Sequence, residues 1–191
     1  MKRWIPWMLV AVALVSGCRS VRVGATHMHG APMTLVGHAV EVGDRAPDFR
    51  AVDRDYKPVR LSDFAGRPVL ISSAPSLDTE VCALQAKMFN EAIRNIGGDV
   101  VTLVITMDLP FAQRRFCESE GVDVARVLSD VLDRDFGRRY GLLIKERGLL
   151  ARAVLVIDRD GRIVYQQIVP ELTTHPDYDA ALTALRRLVG S

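Results

Sequence analysis

The sequence predicts one α/β domain built on a mainly parallel β-sheet, and three observations support this. The chain has 191 residues, 49% of them apolar, which suits a single domain with a sizeable core. After residue 33, strand-like and helix-like periods alternate along the chain. Residues 100–107 form a nearly continuous apolar run, typical of a strand that is buried on both faces of a parallel sheet.

The first predicted elements run from residue 33 to residue 118. They are a hairpin over 33–36 and 37–40, a strand over 69–73, a helix over 80–96, a strand over 100–107 and a helix over 110–118. The first helix follows from apolar residues at three- and four-residue steps that stop at Gly97. Pro110 is well placed in the first turn of the second helix.

The remaining predicted elements are two strands and a terminal helix. Strands over 153–157 and 163–169 are joined by a turn that ends in Gly161, which indicates a hairpin. The amphipathic last helix starts at Pro176 and ends at Gly190. A βαβ unit followed by a hairpin and a terminal helix is the layout of a thioredoxin-like domain, here with an additional N-terminal β-hairpin.

The N-terminus has the features of a bacterial lipoprotein signal. A short basic start precedes an apolar run over 5–15, which is too short to span a membrane. The run ends in Val-Ser-Gly-Cys, which resembles the lipobox, so residues 1–17 are predicted to be cleaved and Cys18 to be lipidated. Arg19 favours the outer over the inner membrane. The alternative is an ordinary signal peptide that leaves Cys18 as a free thiol.

Residues 18–32 lack periodicity and are rich in small residues, which predicts a flexible tether between the lipid and a domain over 33–191. His27, Met28 and His29 lie in this segment. Their imidazole and thioether groups are copper ligands in other proteins, but two histidines in a flexible segment rarely make a specific site. A simple tether is the favoured interpretation.

The charge and the motifs exclude several functions. Without Lys2 and Arg3 of the predicted leader, the 25 basic residues fall to 23, equal to the 23 acidic residues. Such a balance argues against a nucleic-acid partner. We find no Walker loop, no GxGxxG and no HExxH in the sequence, and no metal, flavin or haem site, so no cofactor is expected.

Cys82 is placed where a cysteine becomes reactive. It lies at the predicted start of the helix that follows the strand over 69–73. The free backbone N–H groups and the positive end of the helix dipole at such a position favour the thiolate, which is the nucleophilic form of cysteine.

Pro75, Thr79 and Cys82 match the Pro-x-x-x-Thr-x-x-Cys signature of peroxiredoxins. The chain further resembles the thiol peroxidase subfamily of peroxiredoxins, of the atypical two-cysteine type. This resemblance extends from about residue 33 to the last helix and is carried by the runs over 75–79, 108–117, 148–154, 171–174 and 176–182.

The resemblance implies a role for each site residue. Cys82 is the peroxidatic cysteine, which attacks the terminal oxygen of a hydroperoxide and becomes a sulfenic acid. Thr79 hydrogen-bonds the peroxide and the sulfur, Pro75 shields the sulfur from water, and Arg152 stabilises the thiolate and the charge on the breaking O–O bond. The plain alternatives are a helix-capping Thr79 and an Arg152 paired with a carboxylate.

Cys117 lies 35 positions after Cys82, which excludes a CxxC redox pair and a compact zinc motif. The resemblance makes Cys117 the resolving cysteine, which forms an intramolecular disulfide with Cys82. Because bonded cysteines need Cα atoms closer than about 7 Å, both helical segments are expected to unwind first. The alternative is a buried structural cysteine.

The leading hypothesis is a lipid-anchored, dimeric thiol peroxidase that reduces hydrogen peroxide and organic hydroperoxides and is recycled by a thioredoxin-like reductant. A collar of Leu77, Val81, Leu109 and Phe111 would favour alkyl or lipid hydroperoxides. Two alternatives stay open: a peroxide sensor without efficient turnover, and a membrane-anchored thiol-disulfide oxidoreductase. The second would normally carry CxxC, and Thr79 stands in place of its first cysteine.

Overall fold

The computed structural model describes residues 21–190. The main element of the fold is a seven-stranded β-sheet. Its strands in chain order are β3 (Arg50–Val52), β4 (Pro58–Arg60), β5 (Val69–Ser73), β6 (Val101–Thr106), β7 (Arg126–Ser129), β9 (Ala153–Ile157) and β10 (Ile163–Ile168). Three further strands, β1 (Val21–Met28), β2 (Ala31–Val36) and β8 (Leu143–Ile144), form a second sheet. The helices are α1 (Glu80–Ile96), α2 (Pro110–Glu120), α3 (Asp135–Arg139) and α4 (Tyr178–Val189).

The large sheet has the strand order β10-β9-β5-β6-β7-β3-β4. β5, β6 and β7 run parallel in its centre, and the antiparallel β9 completes the pairing of β5 on the other side. All residues of β5, β6 and β9 are buried, which explains their mainly apolar character. The predicted α/β class is confirmed.

The helices divide the core of the domain into three apolar clusters. Leu70 of β5 faces Phe89 and Ile93 of α1 and Leu185 of α4 on one side of the sheet. The neighbouring residues Val69 and Ile71 point to the opposite side, as strand alternation requires, and join the largest cluster. A third cluster lies between α1 and α2 and contains Cys117.

The N-terminal hairpin differs from its prediction. It is formed by β1 and β2, which pair antiparallel around a turn at His29 and Gly30, whose φ values are 52° and 78°. Both angles are positive, as in the type I′ turn that joins two twisted strands. The predicted flexible tether is therefore wrong for residues 21–32, and the predicted second strand over 37–40 is absent.

The end of β2 at Val36 has a steric cause. The φ of Gly37 is 112°, and a Cβ atom added at Gly37 would lie 2.2 Å from the carbonyl oxygen of Arg138. Only glycine allows the chain to turn at this distance from α3. Gly30, one of the small residues that suggested a tether, thus permits the hairpin turn, and Gly37 permits the close contact with α3.

The other predicted elements agree closely with the structure. β5, α1 and β9 have the predicted bounds, and β6, β10 and α2 differ from them by one or two residues. The terminal helix begins at Tyr178 because the Asp177 carboxylate accepts from the Ala180 N–H at 2.9 Å and caps the helix there. The unpredicted β3, β4, β7, β8 and α3 have two to five residues each, too few to show a period.

Candidate active site

Cys82 is the third residue of α1, and its side chain is 1% exposed. The carboxyl end of β5 leads directly into the loop that carries Pro75 and Thr79, as the sequence predicts. Thr79 occupies the N-cap position of α1, but its side chain makes no hydrogen bond to the helix backbone. Its Oγ1 instead donates to Cys82 Sγ at 2.8 Å. The hydroxyl is therefore directed at the sulfur, and Thr79 is more than a helix cap.

Arg152 supplies a positive charge to the same sulfur. Its Nη2 donates to Cys82 Sγ at 3.2 Å, and its Nε and Nη2 donate to the Leu172 carbonyl oxygen at 3.0 and 2.8 Å. The side chain is 1% exposed, and no carboxylate within residues 21–190 forms an ion pair with it. A buried guanidinium without a counter-charge is costly. The Cys82 sulfur is the side-chain group that this guanidinium contacts besides the Gln85 amide.

Gln85 is a site residue that the sequence analysis missed. It lies one turn after Cys82 with its side chain fully buried, and its Oε1 accepts from Arg152 Nη1 at 2.5 Å. Its Nε2 donates to the hydroxyl of Ser72 at 2.7 Å and to the carbonyl of Ser73 at 3.3 Å. This amide orients the guanidinium toward the sulfur. The signal in the sequence was a polar residue on the buried face of α1, opposite two serines in a buried strand.

Asp108 is a second missed residue, and it fixes the loop before α1. It follows β6, the parallel neighbour of β5. Its carboxylate accepts from Ser76 Oγ at 2.6 Å, from the Leu77 N–H at 2.7 Å and from Thr106 Oγ1 at 2.8 Å. Since α2 begins two residues later, Asp108 connects the loop of Cys82 to the helix of Cys117. The sequence contained one signal for this role. Asp108 follows β6, and the carboxyl ends of the parallel strands β5 and β6 lie side by side.

A cavity of about 220 Å³ opens beside the site. Pro75, Thr79 and Arg152 line its inner end, so it gives access to the group of residues around Cys82. Its walls are mainly apolar and are formed by Met28, Val81, Ile144, Leu149 and Leu172. The cavity has the size and lining of a site for a small organic ligand.

The predicted collar of four apolar residues is only partly correct. Val81 lines the cavity. Leu77 is instead buried in the cluster of Cys117, and Leu109 and Phe111 are exposed on the surface, with Phe111 66% exposed. The collar was inferred from nearness in sequence, whereas most of the cavity wall comes from distant segments.

The β1–β2 hairpin contributes to this wall through Met28 and His29. The backbone of His27 donates to Pro170 O at 2.7 Å and accepts from the Leu172 N–H at 2.8 Å. Leu172 is the residue whose carbonyl binds Arg152, so the hairpin is hydrogen-bonded to the segment that holds the guanidinium. A segment predicted to be a tether is part of the site.

Glu171 fastens the tip of the hairpin to the same segment. Its carboxylate accepts from the N–H groups of His29 and Gly30 at 3.1 and 3.0 Å, and from the N–H and hydroxyl of Thr173. These hydrogen bonds, with that from Gly30 the largest cause, lower the pKa of Glu171 to about 2. The carboxylate thus stays ionised well below neutral pH.

Cys117 lies in the second half of α2 and is 4% exposed. It shares an apolar cluster with Leu77, from the loop before Cys82, and with Ala86, one turn after Cys82. Burial raises the pKa of Cys117, and the nearby Arg54 partly opposes this effect. Both cysteines are free thiols in this structure. The fold therefore places Cys117 in an apolar cluster beside the start of α1, where its pKa is raised above the usual value of a cysteine.

Comparison with known proteins places the chain in a family. A family model described as Redoxin matches residues 41–182. The thiol peroxidase of Listeria innocua is 48% identical over 156 residues, which cover 82% of this chain and 94% of the relative. The thiol peroxidase of Bacillus subtilis is 45% identical over 160 residues, covering 84% and 95%. The chain belongs to the thiol peroxidase family of peroxiredoxins.

A solved structure supports the same assignment. A peroxiredoxin-like protein from Aquifex aeolicus has a TM-score of 0.82 and 40% identity to this chain, and the match covers 89% of this chain and 99% of that one. The expectation of a peroxiredoxin enzyme with a thioredoxin-like fold is confirmed. This thiol peroxidase family member brings Pro75, Thr79, Cys82 and Arg152 together at one point.

Three further predictions concern anchoring and metals. Cys18 and the predicted signal over 1–17 lie outside the described residues. Among residues 21–190, no helix is long and apolar enough to cross a membrane. Within the same range, no group of three or more His, Cys, Asp or Glu side chains is arranged to hold a metal ion.

Proposed function

We propose that this protein reduces hydroperoxides at Cys82. The thiolate attacks the terminal oxygen of ROOH, the S–O bond forms as the O–O bond breaks, and the leaving alkoxide takes up a proton to become ROH. Cys82 is left as a sulfenic acid. The observation that carries this proposal is the sulfur itself, which accepts hydrogen bonds from the Thr79 hydroxyl and from a guanidinium without a carboxylate partner.

Thr79 and Arg152 have a second use during the reaction. Both groups lie at the inner end of the cavity, where a peroxide next to the sulfur would contact them. As the O–O bond breaks, negative charge moves from the sulfur to the leaving oxygen. Fixed donors that face both positions stabilise this charge without rearrangement, which is how preorganised polar groups accelerate reactions.

The second proposed step is a disulfide between Cys82 and Cys117. The Cys117 thiolate attacks the sulfur of the sulfenic acid, the S–S bond forms, and the S–O bond breaks with release of water. Both side chains are buried in separate helices, so the ends of these helices must open for the sulfurs to meet. Cys117 packs in one apolar cluster with Leu77 and Ala86, which lie on either side of Cys82 in the sequence.

One experiment tests both steps. The reduced full-length chain receives one equivalent of hydrogen peroxide and is analysed by peptide mass spectrometry. We expect the loss of two hydrogens and a cross-link between the Cys82 and Cys117 peptides of one chain. Over-oxidised Cys82 beside a free Cys117 would contradict the resolving role, and two untouched thiols would contradict the peroxidase itself.

A thioredoxin-like reductant is proposed to reopen the disulfide. The sequence has three cysteines, and because Cys18 is the proposed lipid anchor, no second redox pair accompanies Cys82 and Cys117. Each turnover therefore needs two electrons from outside. Peroxide-dependent oxidation of NADPH through thioredoxin and its reductase measures this step. Multiple turnovers per chain are expected, whereas a single turnover would favour a peroxide sensor.

Organic hydroperoxides are the proposed preferred substrates. The cavity at Cys82 is walled mainly by apolar side chains and exceeds the volume needed for hydrogen peroxide. Burial of an organic substituent there adds binding energy that hydrogen peroxide cannot supply. We expect a larger kcat/KM for cumene hydroperoxide than for hydrogen peroxide, and equal values would reject the preference.

We also propose that the protein is an exported lipoprotein, anchored through Cys18 on the periplasmic side of the outer membrane, and that it forms a homodimer. The lipobox-like sequence supports the anchor. The exposed Leu109 and Phe111 support the dimer, because apolar side chains on a surface favour association. Metabolic labelling with a fatty acid in wild type and Cys18→Ala tests the anchor, and analytical ultracentrifugation tests the dimer.

A further inference from the structure

The turn between β3 and β4, residues 53–57, lies across the helix of the resolving cysteine. Arg114 of α2 donates from Nη2 to the Arg54 carbonyl oxygen at 2.8 Å and forms an ion pair with Asp55. The ring of Tyr56 lies 5.3 Å from that of Phe111, measured between centroids. An ion pair, a hydrogen bond and an aromatic contact thus hold this turn on α2.

The turn has a fixed internal conformation. The carboxylate of Asp53 accepts from the N–H groups of Asp55 and Lys57 at 2.8 and 2.9 Å, which closes the turn. The Asp53 N–H donates to Lys57 O at 2.9 Å, so the base of the turn is bonded as well. Arg54 therefore projects from a constrained backbone.

Arg54 lines a cavity together with Ala125 and Val127, which belong to the apolar cluster of Cys117, and its positive charge opposes the rise in the pKa of Cys117. Arg54 is partly buried, and among the described residues it has no ion pair with a carboxylate. The other charge that acts on Cys117 is Glu118 on the same helix, which opposes ionisation. Two other charges of α2 form ion pairs, Glu120 with Lys87 and Arg114 with Asp55.

We propose that Arg54 is a second active-site cation, which stabilises the thiolate of Cys117 for its attack on the Cys82 sulfenic acid. This role rests on the proposed peroxidase cycle. In that step the S–S bond forms as the S–O bond of the sulfenic acid breaks, and the leaving hydroxide takes up a proton to become water. A thiol in an apolar cluster is a weak nucleophile, and a neighbouring guanidinium favours its ionised form.

The position of the contacts lets Arg54 act while α2 opens. Phe111 and Arg114, which hold the turn, lie in the first half of α2, whereas Cys117 lies in the second half, near the helix end at Gly121. Unwinding of the last turns frees Cys117 and leaves the attachment of the turn intact. The guanidinium then remains beside the segment that moves.

The first test measures the thiolate of Cys117 without any peroxide chemistry. In a Cys82→Ser background, the rate of alkylation of the Cys117 peptide by iodoacetamide is followed from pH 6 to pH 11. We expect Arg54→Gln to slow alkylation about three- to tenfold at pH 7 and to shift the midpoint of the profile to higher pH. Arg54→Lys should retain most of the rate.

The matched control is Arg60→Gln, which removes the same charge from an exposed site on the same β3–β4 hairpin. Its profile should equal that of the parent. An unshifted midpoint in Arg54→Gln would overturn the proposal. An equal acceleration at every pH would also overturn it, because it would show that the turn merely restrains the helix.

The second test follows the resolving step itself. After one equivalent of hydrogen peroxide, Arg54→Gln should form the Cys82–Cys117 disulfide three- to tenfold more slowly at pH 7, and the rate should recover near pH 10. Sulfenic acid formation at Cys82 should keep its wild-type rate. If wild type formed no disulfide, the proposed cycle would fail, while the alkylation profile would still decide the effect of Arg54 on Cys117.

Discussion

The surroundings of Cys82 and Cys117 differ although both side chains are almost completely buried. Cys82 lies at the start of a helix, where Thr79 and the fully buried Arg152 donate to its sulfur. Cys117 lies in the second half of a helix among apolar side chains, with the partly buried Arg54 as its nearby cation. Burial alone therefore does not distinguish the two cysteines, which differ in the polar groups close to each sulfur.

This difference between the two cysteines suits the proposed two-step reaction. In that proposal Cys82 reacts with peroxide as a thiolate, whereas Cys117 is needed only after Cys82 has been oxidised. A thiolate at Cys117 in the resting protein would offer a second target for oxidation. The apolar cluster prevents this by raising the pKa of Cys117.

The largest expected effect comes from removing the guanidinium that distinguishes the two sites. Arg152→Gln should reduce the second-order rate of Cys82 with peroxide roughly 100- to 1,000-fold, by analogy with the loss of one preorganised transition-state donor. Stopped-flow kinetics under single-turnover conditions measure this rate. Circular dichroism identifies a variant that fails to fold, and Arg152→Lys then serves as the second variant. A loss below threefold in a folded variant would contradict the role.

A smaller effect is expected from the hydroxyl at Cys82. Thr79→Val keeps the shape of the side chain but removes its donor, and should slow the reaction with peroxide about tenfold, the value of one hydrogen bond to a charged group. Thr79→Ser retains the donor and should stay within threefold of wild type. Equal losses in both variants would contradict a specific role of the hydroxyl, because serine retains the donor.

Asp108 tests whether the two cysteine regions are mechanically coupled. Asp108→Asn weakens the bonds to Ser76 and Leu77 and should lower the free energy of unfolding by roughly 1–3 kcal/mol. It should also accelerate disulfide formation, because the loop before α1 opens more easily. Urea unfolding and quenched-flow trapping measure the two effects.

The matched control for Asp108 is Asp99→Asn, which alters an exposed carboxylate just before β6. We expect its unfolding and disulfide rates to stay close to wild type. If Asp108→Asn were destabilised but formed the disulfide at the wild-type rate, the connection between the loop and α2 would be structural only.

The smallest expected effect is a pH dependence of stability from Cys117. Burial raises the pKa of Cys117 above the usual 9.0, so the folded chain holds this proton more tightly than the unfolded chain. The resulting stabilisation is complete below pH 9 and is lost as the pH rises through the higher folded value. The folding equilibrium constant should fall by less than tenfold per pH unit in that window.

This is measured by comparing Cys82→Ser with Cys82→Ser/Cys117→Ala. Their unfolding free energies should differ by a constant amount between pH 7 and 8, and the variant that retains Cys117 should lose stability relative to the other above pH 9. A difference that stayed constant to pH 10.5 would mean that burial does not hinder ionisation of Cys117.

Local sequence patterns determined most of the framework and the chemical identity of the site. β5 and β9 had the correct bounds because each is a short run of buried residues, and α1 had them because a helix of 17 residues repeats its period several times. Cys82, Thr79 and Pro75 lie within eight residues, so one loop and one helix start bring them together. Arg152 was recognised through resemblance to a family, not through its position in the chain.

The tertiary structure decided what surrounds these residues. Gln85, Asp108 and Glu171 act through partners from other segments, and no local pattern shows that a buried amide will meet a guanidinium 67 residues away. The hairpin over 21–36 was missed because its small residues and positive φ angles also suit a flexible linker. Its stability comes from hydrogen bonds to residues 169–172, more than 140 positions distant. Contacts of that range depend on the path of the whole chain, which local periodicity does not encode.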